Sequence, residues 1–336
     1  MTVGVSFYNN GSAGFAFVPR DILVDSSFNQ YLLYSFDNSG QNIRITKINA
    51  DGTYAWSKEY AGLIALRNFQ VAEISGDGSK IRLLGLNSSP MGQIAEISTS
   101  DGAVTASRNH NAAKIIGSSY SATLKCSRTT DSKCFFNWLG LFVANDHKVC
   151  KVDFTSTASL STADPGNSNT YIFTVDALDD DNFIAGGFDS SSTPHKHIFY
   201  SANMSSTSLN WGVQVSALED IFSTGEAQRI YSYINDASTK YVCTAQLAST
   251  SLMFVLHPSN GSLIEAKQLS YEFSFASYEL SAGGRISNDK IAYAIKVTTT
   301  DRLLINFINI DTWELTSYYV DGTISLTGFS PLFNTN

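Results

Sequence analysis

A recurring apolar strand constrains this chain more than any other feature. It reads QYLLYSF from Gln30, KIRLLGL from Lys80, KCFFNWLGLFV from Lys133, NFIAGGF from Asn182, KYVCTAQL from Lys240 and KIAYAIKV from Lys290. The apolar starts Tyr31, Ile81, Phe135, Phe183, Tyr241 and Ile291 are 50, 54, 48, 58 and 50 residues apart. A near-constant period of this length marks a repeat architecture. A weaker strand and a polar turn lead into each copy, as in FQVAEI followed by SGDGS. Two more strands follow, such as IRITKI and TYAWSKEY, joined by turns that include Asp51-Gly52, Asp101-Gly102 and Asn260-Gly261. Those dipeptides tolerate the positive φ of a tight hairpin. Long amphipathic helical patterns are absent from the sequence.

Four strands in each of six repeats predict an all-β chain of six four-stranded antiparallel blades, a β-propeller, with seven blades as the alternative. One blade cannot bury both of its faces, so each must pack against its neighbours. The propeller is expected over residues 21–320. Segments 1–20 and 321–336 both contain strand-like runs, VGVSFYNN and TISLTGF among them. Two readings follow. Either one terminus closes the ring by adding an outer strand to a blade begun by the other, or a terminal strand joins the sheet edge of a neighbouring molecule.

The phrase ITKINADGTYAWSKEYAG resembles the repeat of bacterial-type β-propeller proteins, in which a K-x-N/D-x-x-G-x-x-x-W-x-x-x-x-G unit ends each blade. It is also similar to the quinoprotein-type blade. The match is partial at Asp101-Gly102 and Asn260-Gly261, and Ala106 and Glu265 stand where the first copy has Trp56. The docking Trp of the quinoprotein blade is therefore not expected to repeat. The resemblance implies a fold and no activity.

Composition narrows the class of work. Charged residues make up 15% of the 336, against roughly 25% in an average soluble protein. The surface must then be largely Ser, Thr, Asn and Gly, a palette commoner outside the cell. Net charge is −8 and the basic residues are scattered singly, so nucleic acid is not an expected partner. No apolar run approaches the ~20 residues of a membrane helix. The first residues lack the basic start and apolar block of a signal peptide, which suits either a cytosolic chain or a mature form without its leader.

Catalytic signatures such as GxSxG, HExxH or a P-loop are missing, and no cofactor is expected. Asp51-Gly52…Trp56 bears a faint resemblance to the Asp-box of sialidases but lacks its Asp-x-Gly spacing. His195 and His197 would share one face of a strand, with no carboxylate or Cys nearby, and read as surface residues. Asp176, Asp179, Asp180 and Asp181 read as a solvated turn, since EF-hand spacing is absent. Gly186-Gly187 reads as a point of close packing. Cys126 and Cys134 flank a seven-residue polar loop and are candidates for a bridge between neighbouring strands; four buried thiols is the other reading. The sequons at Asn10, Asn87, Asn203 and Asn260 fall in expected turns and are glycosylation candidates. These features together suggest a non-catalytic extracellular or cell-surface propeller that assembles with copies of itself. The alternatives are a lectin-like binding module or a glycan-active hydrolase.

Overall fold

The structure, a computed structural model, describes residues 18–35, 43–60, 68–86, 92–110, 124–139 except 128 and 131, 147–155, 161–163, 170–189, 191, 196–215 except 207, 230–246 except 236, 250–270, 278–297 except 288 and 289, 302–321 and 334–335. The chain is an all-β propeller. Its described residues form six sheets. The first contains β1 (Val18–Val24), β2 (Gln30–Ser35), β3 (Ile43–Ile48) and β4 (Tyr54–Tyr60); the second β5 (Asn68–Ile74), β6 (Lys80–Leu86), β7 (Gly92–Ser98) and β8 (Val104–His110). The third contains β9 (Leu124–Cys126), β10 (Lys133–Leu139), β11 (His147–Asp153) and β12 (Ser161–Ala163); the fourth β13 (Thr170–Ala177), β14 (Asn182–Asp189), β15 (Lys196–Asn203) and β16 (Leu209–Val215). The fifth contains β17 (Ile230–Ile234), β18 (Tyr241–Gln246), β19 (Thr250–Leu256) and β20 (Leu263–Ser270); the sixth β21 (Tyr278–Ser287), β22 (Lys290–Val297), β23 (Arg302–Asn309) and β24 (Leu315–Asp321).

Within each sheet the four consecutive strands pair antiparallel in chain order. The recurring apolar strands are the second of each blade, flanked on both sides, and those of the first five blades are buried on both faces. That position explains their unbroken hydrophobicity. Register corrects two alignments. Ile81 pairs with Ile74 across its turn, and the same place belongs to Cys134 in the third blade, paired with Cys126, and to Gln30 in the first, paired with Val24. Those repeats start at Cys134 rather than Phe135 and at Gln30 rather than Tyr31. Because alternate residues face opposite sides, that single step exchanges the two faces of the strand.

Five apolar layers join the sheets in sequence. Tyr31, Leu33, Ile43 and Ile45 meet Ile74, Ile81, Leu83 and Ile97 between blades one and two. Leu84 and Ile94 meet Phe136 and Val152 at the next joint. Phe135 and Val149 meet Phe183 and Tyr200 at the third. Phe199 and Trp211 meet Tyr241 and Phe254 at the fourth, and Met253 and Val255 meet Ile308 and Ile310 at the fifth. Each such side chain contributes roughly 1.5–3 kcal/mol through burial. No single blade could supply both halves of a layer.

First strands of successive blades touch one another: β1 with β5, β5 with β9, β9 with β13, β13 with β17 and β17 with β21. They therefore circle a common axis. Near the C-terminus β25 (Asn334–Thr335) lies against β21 and pairs in parallel with β1, Leu23 with Asn334 and Val24 with Thr335. The C-terminal end thus enters the ring beside the innermost strand of blade one, not on a blade's outer edge. Residues 1–17 lie outside the described residues, and so does any role of theirs in joining neighbours.

Candidate functional site

Where first strands meet sit charged residues that the sequence reading passed over or, for Asp176, assigned to a solvated turn; Asp176 is instead buried in β13. Counted from the turn, register places Leu23, Glu73, Lys125, Asp176 and Tyr233 at equivalent points of β1, β5, β9, β13 and β17, opposite Tyr31, Arg82, Phe135, Ile184 and Val242. Asp21 lies two residues from that point in β1. The carboxylates of Asp21, Glu73 and Asp176 are each at least nine-tenths buried. Each reaches the inner strand of the following blade. Asp21 accepts from the backbone N–H of Ile22 at 2.9 Å and from that of Ala72. Glu73 accepts from the Cys126 N–H at 3.0 Å and pairs with Lys125 at 3.6 Å. Asp176 accepts from the Ser232 hydroxyl, which lies 2.5 Å from that of Thr174. Between blades three and four, the Asn137 side chain donates to the Ile172 carbonyl at 3.2 Å. Polar groups this deep must be satisfied, and the neighbouring blade satisfies them.

Burial shapes their ionisation. It pushes Asp21 up to about 8, although the Ile22 and Ala72 N–H groups and the Lys125 charge oppose it. It pushes Glu73 up to about 7, opposed by Lys125 and reinforced by the Asp176 charge. A carboxyl titrating near neutrality is suited to proton transfer, and strong perturbation is one mark of a functional site. Structural ion pairs perturb equally well, and here both raised acids, Asp21 and Glu73, have an inter-blade partner. The signal in the sequence was a lone charge interrupting an apolar first strand, as in FQVAEI and YIFTVDA.

Behind Glu73, Arg82 is buried within the second blade. It donates to Glu96 at 3.0 Å and to the Cys126 sulfur at 3.0 Å, with its guanidinium 5.1 Å from the centre of the Phe154 ring. Cys126 and Cys134 face one another across β9 and β10, sulfur to sulfur 3.5 Å, as free thiols. Cys150 and Cys243 are buried and form no disulfide.

The Asp-rich turn is a joint between blades, not a turn that faces only water. Asp180 accepts from Ser127 at 2.6 Å, Thr129 at 2.7 Å, Thr130 at 2.8 Å and Lys133 at 3.1 Å, all in the third blade's turn. Partial burial would raise its pKa, but these donors outweigh that and hold it well below the ordinary carboxylate range. Asp181 binds Lys151 at 2.5 Å and Ser205 at 2.9 Å, and Asp179 caps its own turn through Asn182. Among the described residues no group of three or more His, Cys, Asp or Glu is arranged to hold a metal ion. The side chains of His195 and His197 lie outside the described residues.

Farther out, the docking Trp does repeat, contrary to expectation. Trp56 of β4 donates to the Thr99 carbonyl at 3.1 Å in the next blade's outer turn and lies over Gly102. Trp211 of β16 donates to the Pro258 carbonyl at 2.8 Å and lies over Gly261. Both glycines have φ of +70°, and a Cβ at Gly261 would stand 2.3 Å from the indole. At the joint between blades five and six the roles are exchanged. Trp313 occupies the left-handed turn position, φ +61°, and donates back to Glu265, which holds the Trp place on β20. Gly187 of the fourth blade is a close approach of another kind: a Cβ there would meet the Tyr171 carbonyl oxygen at 1.6 Å.

Two of the four sequons are within the described residues. Asn260 is exposed in its turn, and its side-chain oxygen accepts from the Ser262 N–H at 2.9 Å. Asn203 is half-buried, and its amide nitrogen donates to Asn182 at 3.0 Å, a bond that a glycan would disturb. Asn10 and Asn87 lie outside. Among the described residues the large exposed apolar side chains are Phe28, Tyr54, Leu209, Leu263, Ile264 and Tyr318. All but Phe28 lie on a blade's fourth strand.

Solved structures similar to this chain are propellers. The periplasmic gluconolactonase of Pseudomonas aeruginosa is 13% identical with a TM-score of 0.51, over 90% of this chain and 85% of its own. The Dos1 propeller is 10% identical with a TM-score of 0.53, over 92% and 71%. A chain of the mitotic checkpoint complex is 10% identical with a TM-score of 0.54, over 96% and 87%. At these identities the likeness is one of fold. No family model matches the chain, and no curated protein does.

Proposed function

We propose that this propeller is a non-catalytic assembly subunit, working outside the cell or at its surface, and that the outer edges of its blades are its contact surface. The observation that carries this is the placement of exposed apolar side chains. Tyr54, Leu209, Leu263, Ile264 and Tyr318, between 48% and 66% exposed, belong to β4, β16, β20 and β24. Those strands end their sheets, so apolar area and free backbone hydrogen-bonding groups coincide there. The acids near the axis are occupied in holding blades together, which supports a scaffold over a catalyst. The sparsely charged, hydroxyl-rich surface and the exposed Asn260 sequon support the extracellular placing.

Light scattering over a range of concentrations tests the reading. Growth in mass is expected, and Leu209→Lys with Leu263→Lys should abolish it while leaving the circular dichroism spectrum unchanged. A strictly monomeric particle at high concentration would overturn it. The second reading, ligand binding or glycan chemistry near the axis, is favoured by the near-neutral titration of Glu73 beside Lys125. A glycan array with no binder, or a Glu73→Gln variant that retains any activity found, would remove it.

A further inference from the structure

Cys126 and Cys134 are placed for chemistry that the proposed scaffold does not use. They are directly opposed residues of an antiparallel pair. The Ser127 N–H bonds to the Lys133 carbonyl, whereas the Cys126 N–H turns away to Glu73. The cysteines therefore form a non-hydrogen-bonded pair, the type in which Cα atoms approach to ~4.5 Å. A disulfide spans Cα separations of about 4.4–6.8 Å, so the backbone already meets its requirement. The sulfurs are 3.5 Å apart, with the Cys134 thiol donating to Cys126.

The two sulfurs differ in a useful way. Cys126 is partly exposed and receives the Arg82 Nη1–H at 3.0 Å, a cation placed to stabilise negative charge developing on that sulfur. Cys134 is fully buried, and burial keeps it a protonated thiol. One cysteine is accessible and next to a positive charge; the other is sheltered and in contact with it.

The geometry points to a reversible redox couple in which Cys126 is the peroxide-reactive thiol and Cys134 resolves it into a cross-strand disulfide. Cys126, as thiolate, attacks one oxygen of hydrogen peroxide. The O–O bond breaks, the sulfur loses two electrons to become a sulfenic acid, and the departing hydroxide takes the proton shed by the thiol as water. The Cys134 sulfur then attacks that of Cys126. The S–S bond forms as the S–O bond breaks, and the hydroxide leaves with the Cys134 proton as a second water. A dithiol reductant reverses the change by thiol–disulfide exchange. The closed bridge ties the innermost strand of blade three to its second strand.

Mass spectrometry of the folded chain before and after hydrogen peroxide tests this. The expected result is loss of two hydrogens, a cross-link mapped between Cys126 and Cys134, and full reversal by dithiothreitol. Cys134→Ser should stop at a sulfenic acid on Cys126 that dimedone captures, and Cys126→Ser should give neither product. If the Ser variants do not fold, mapping of the wild-type chain decides alone. Thiols that stay free after peroxide, a bridge to Cys150 instead, or a bridge that dithiothreitol cannot open in the folded chain would each overturn the proposal.

Discussion

At the scale of single residues, the inner carboxyls and the turn glycines carry the sharpest consequences. Asp21 and Glu73 keep their protons in the folded chain at pH values where an unfolded chain, with carboxyls near 4, has lost them. Their contribution to stability is present at and below that value. It falls as pH rises toward about 7 for Glu73 and about 8 for Asp21. Each group is expected to add a slope of up to ~1.4 kcal/mol per pH unit inside its window. Asp21→Asn retains an acceptor for the Ile22 and Ala72 N–H groups, so it should flatten the decline between pH 5 and 8, roughly the interval bounded by the two carboxyl ranges. Urea titrations at each pH measure this, and an unchanged slope would refute it. Asp180 works in the opposite sense, since its lowered pKa gives stability that is lost on acidification. The glycines allow a cleaner contrast. Gly52 and Gly261 both have positive φ, but a Cβ at Gly52 meets nothing within 4 Å, whereas one at Gly261 collides with Trp211. Gly52→Ala should cost about 1–2 kcal/mol from the backbone alone, and Gly261→Ala roughly 1–3 kcal/mol more from overpacking. Equal shifts in urea midpoint would count against the indole seat.

Between elements, the outer joints use one contact in two orientations. Trp56 and Trp211 reach forward from a fourth strand onto the next blade's glycine, while Trp313 reaches back from the glycine's place to Glu265. Lys267 accompanies that reversed contact, 5.7 Å from the Trp313 ring centre and 3.2 Å from Glu265. Installing the forward form at this joint requires both changes at once. Glu265→Trp alone places two indoles in one seat, and Trp313→Gly alone leaves Glu265 without its indole donor, with only Lys267 beside it. The double variant should recover part of both losses, with a coupling energy of about 0.5–3 kcal/mol in a double-mutant cycle. Strictly additive losses would show that the two positions are independent. Sequence alignment set Ala106 and Glu265 against Trp56 and concluded that the contact was lost. It missed Trp211, in the plainer LNWGVQV copy, because the preceding turn lacks the Asp-Gly signature.

For the whole molecule, closure is the open question that the fold answers at its inner edge. The first strands form a chain of contacts from β1 to β21, and β25 stands between the last and the first. Deleting residues 334–336 should lower the thermal midpoint and speed amide exchange in β1 and β21 before other strands; uniform exchange would argue that the ring closes without it. The sequence alone determined the all-β repeat and the apolar second strand within it, because short runs this apolar, recurring at so even a spacing, find no shelter except another copy. It also marked the candidate cysteines, as neighbours across a short polar loop. Which partners the isolated charges would find was decided only in three dimensions. Glu73 meets Lys125 and Cys126, and Asp180 meets Ser127, from positions about fifty residues away in the chain. Hydrophobic pattern is local and can be read along one strand, whereas an ion pair between blades depends on which faces the closed ring brings together.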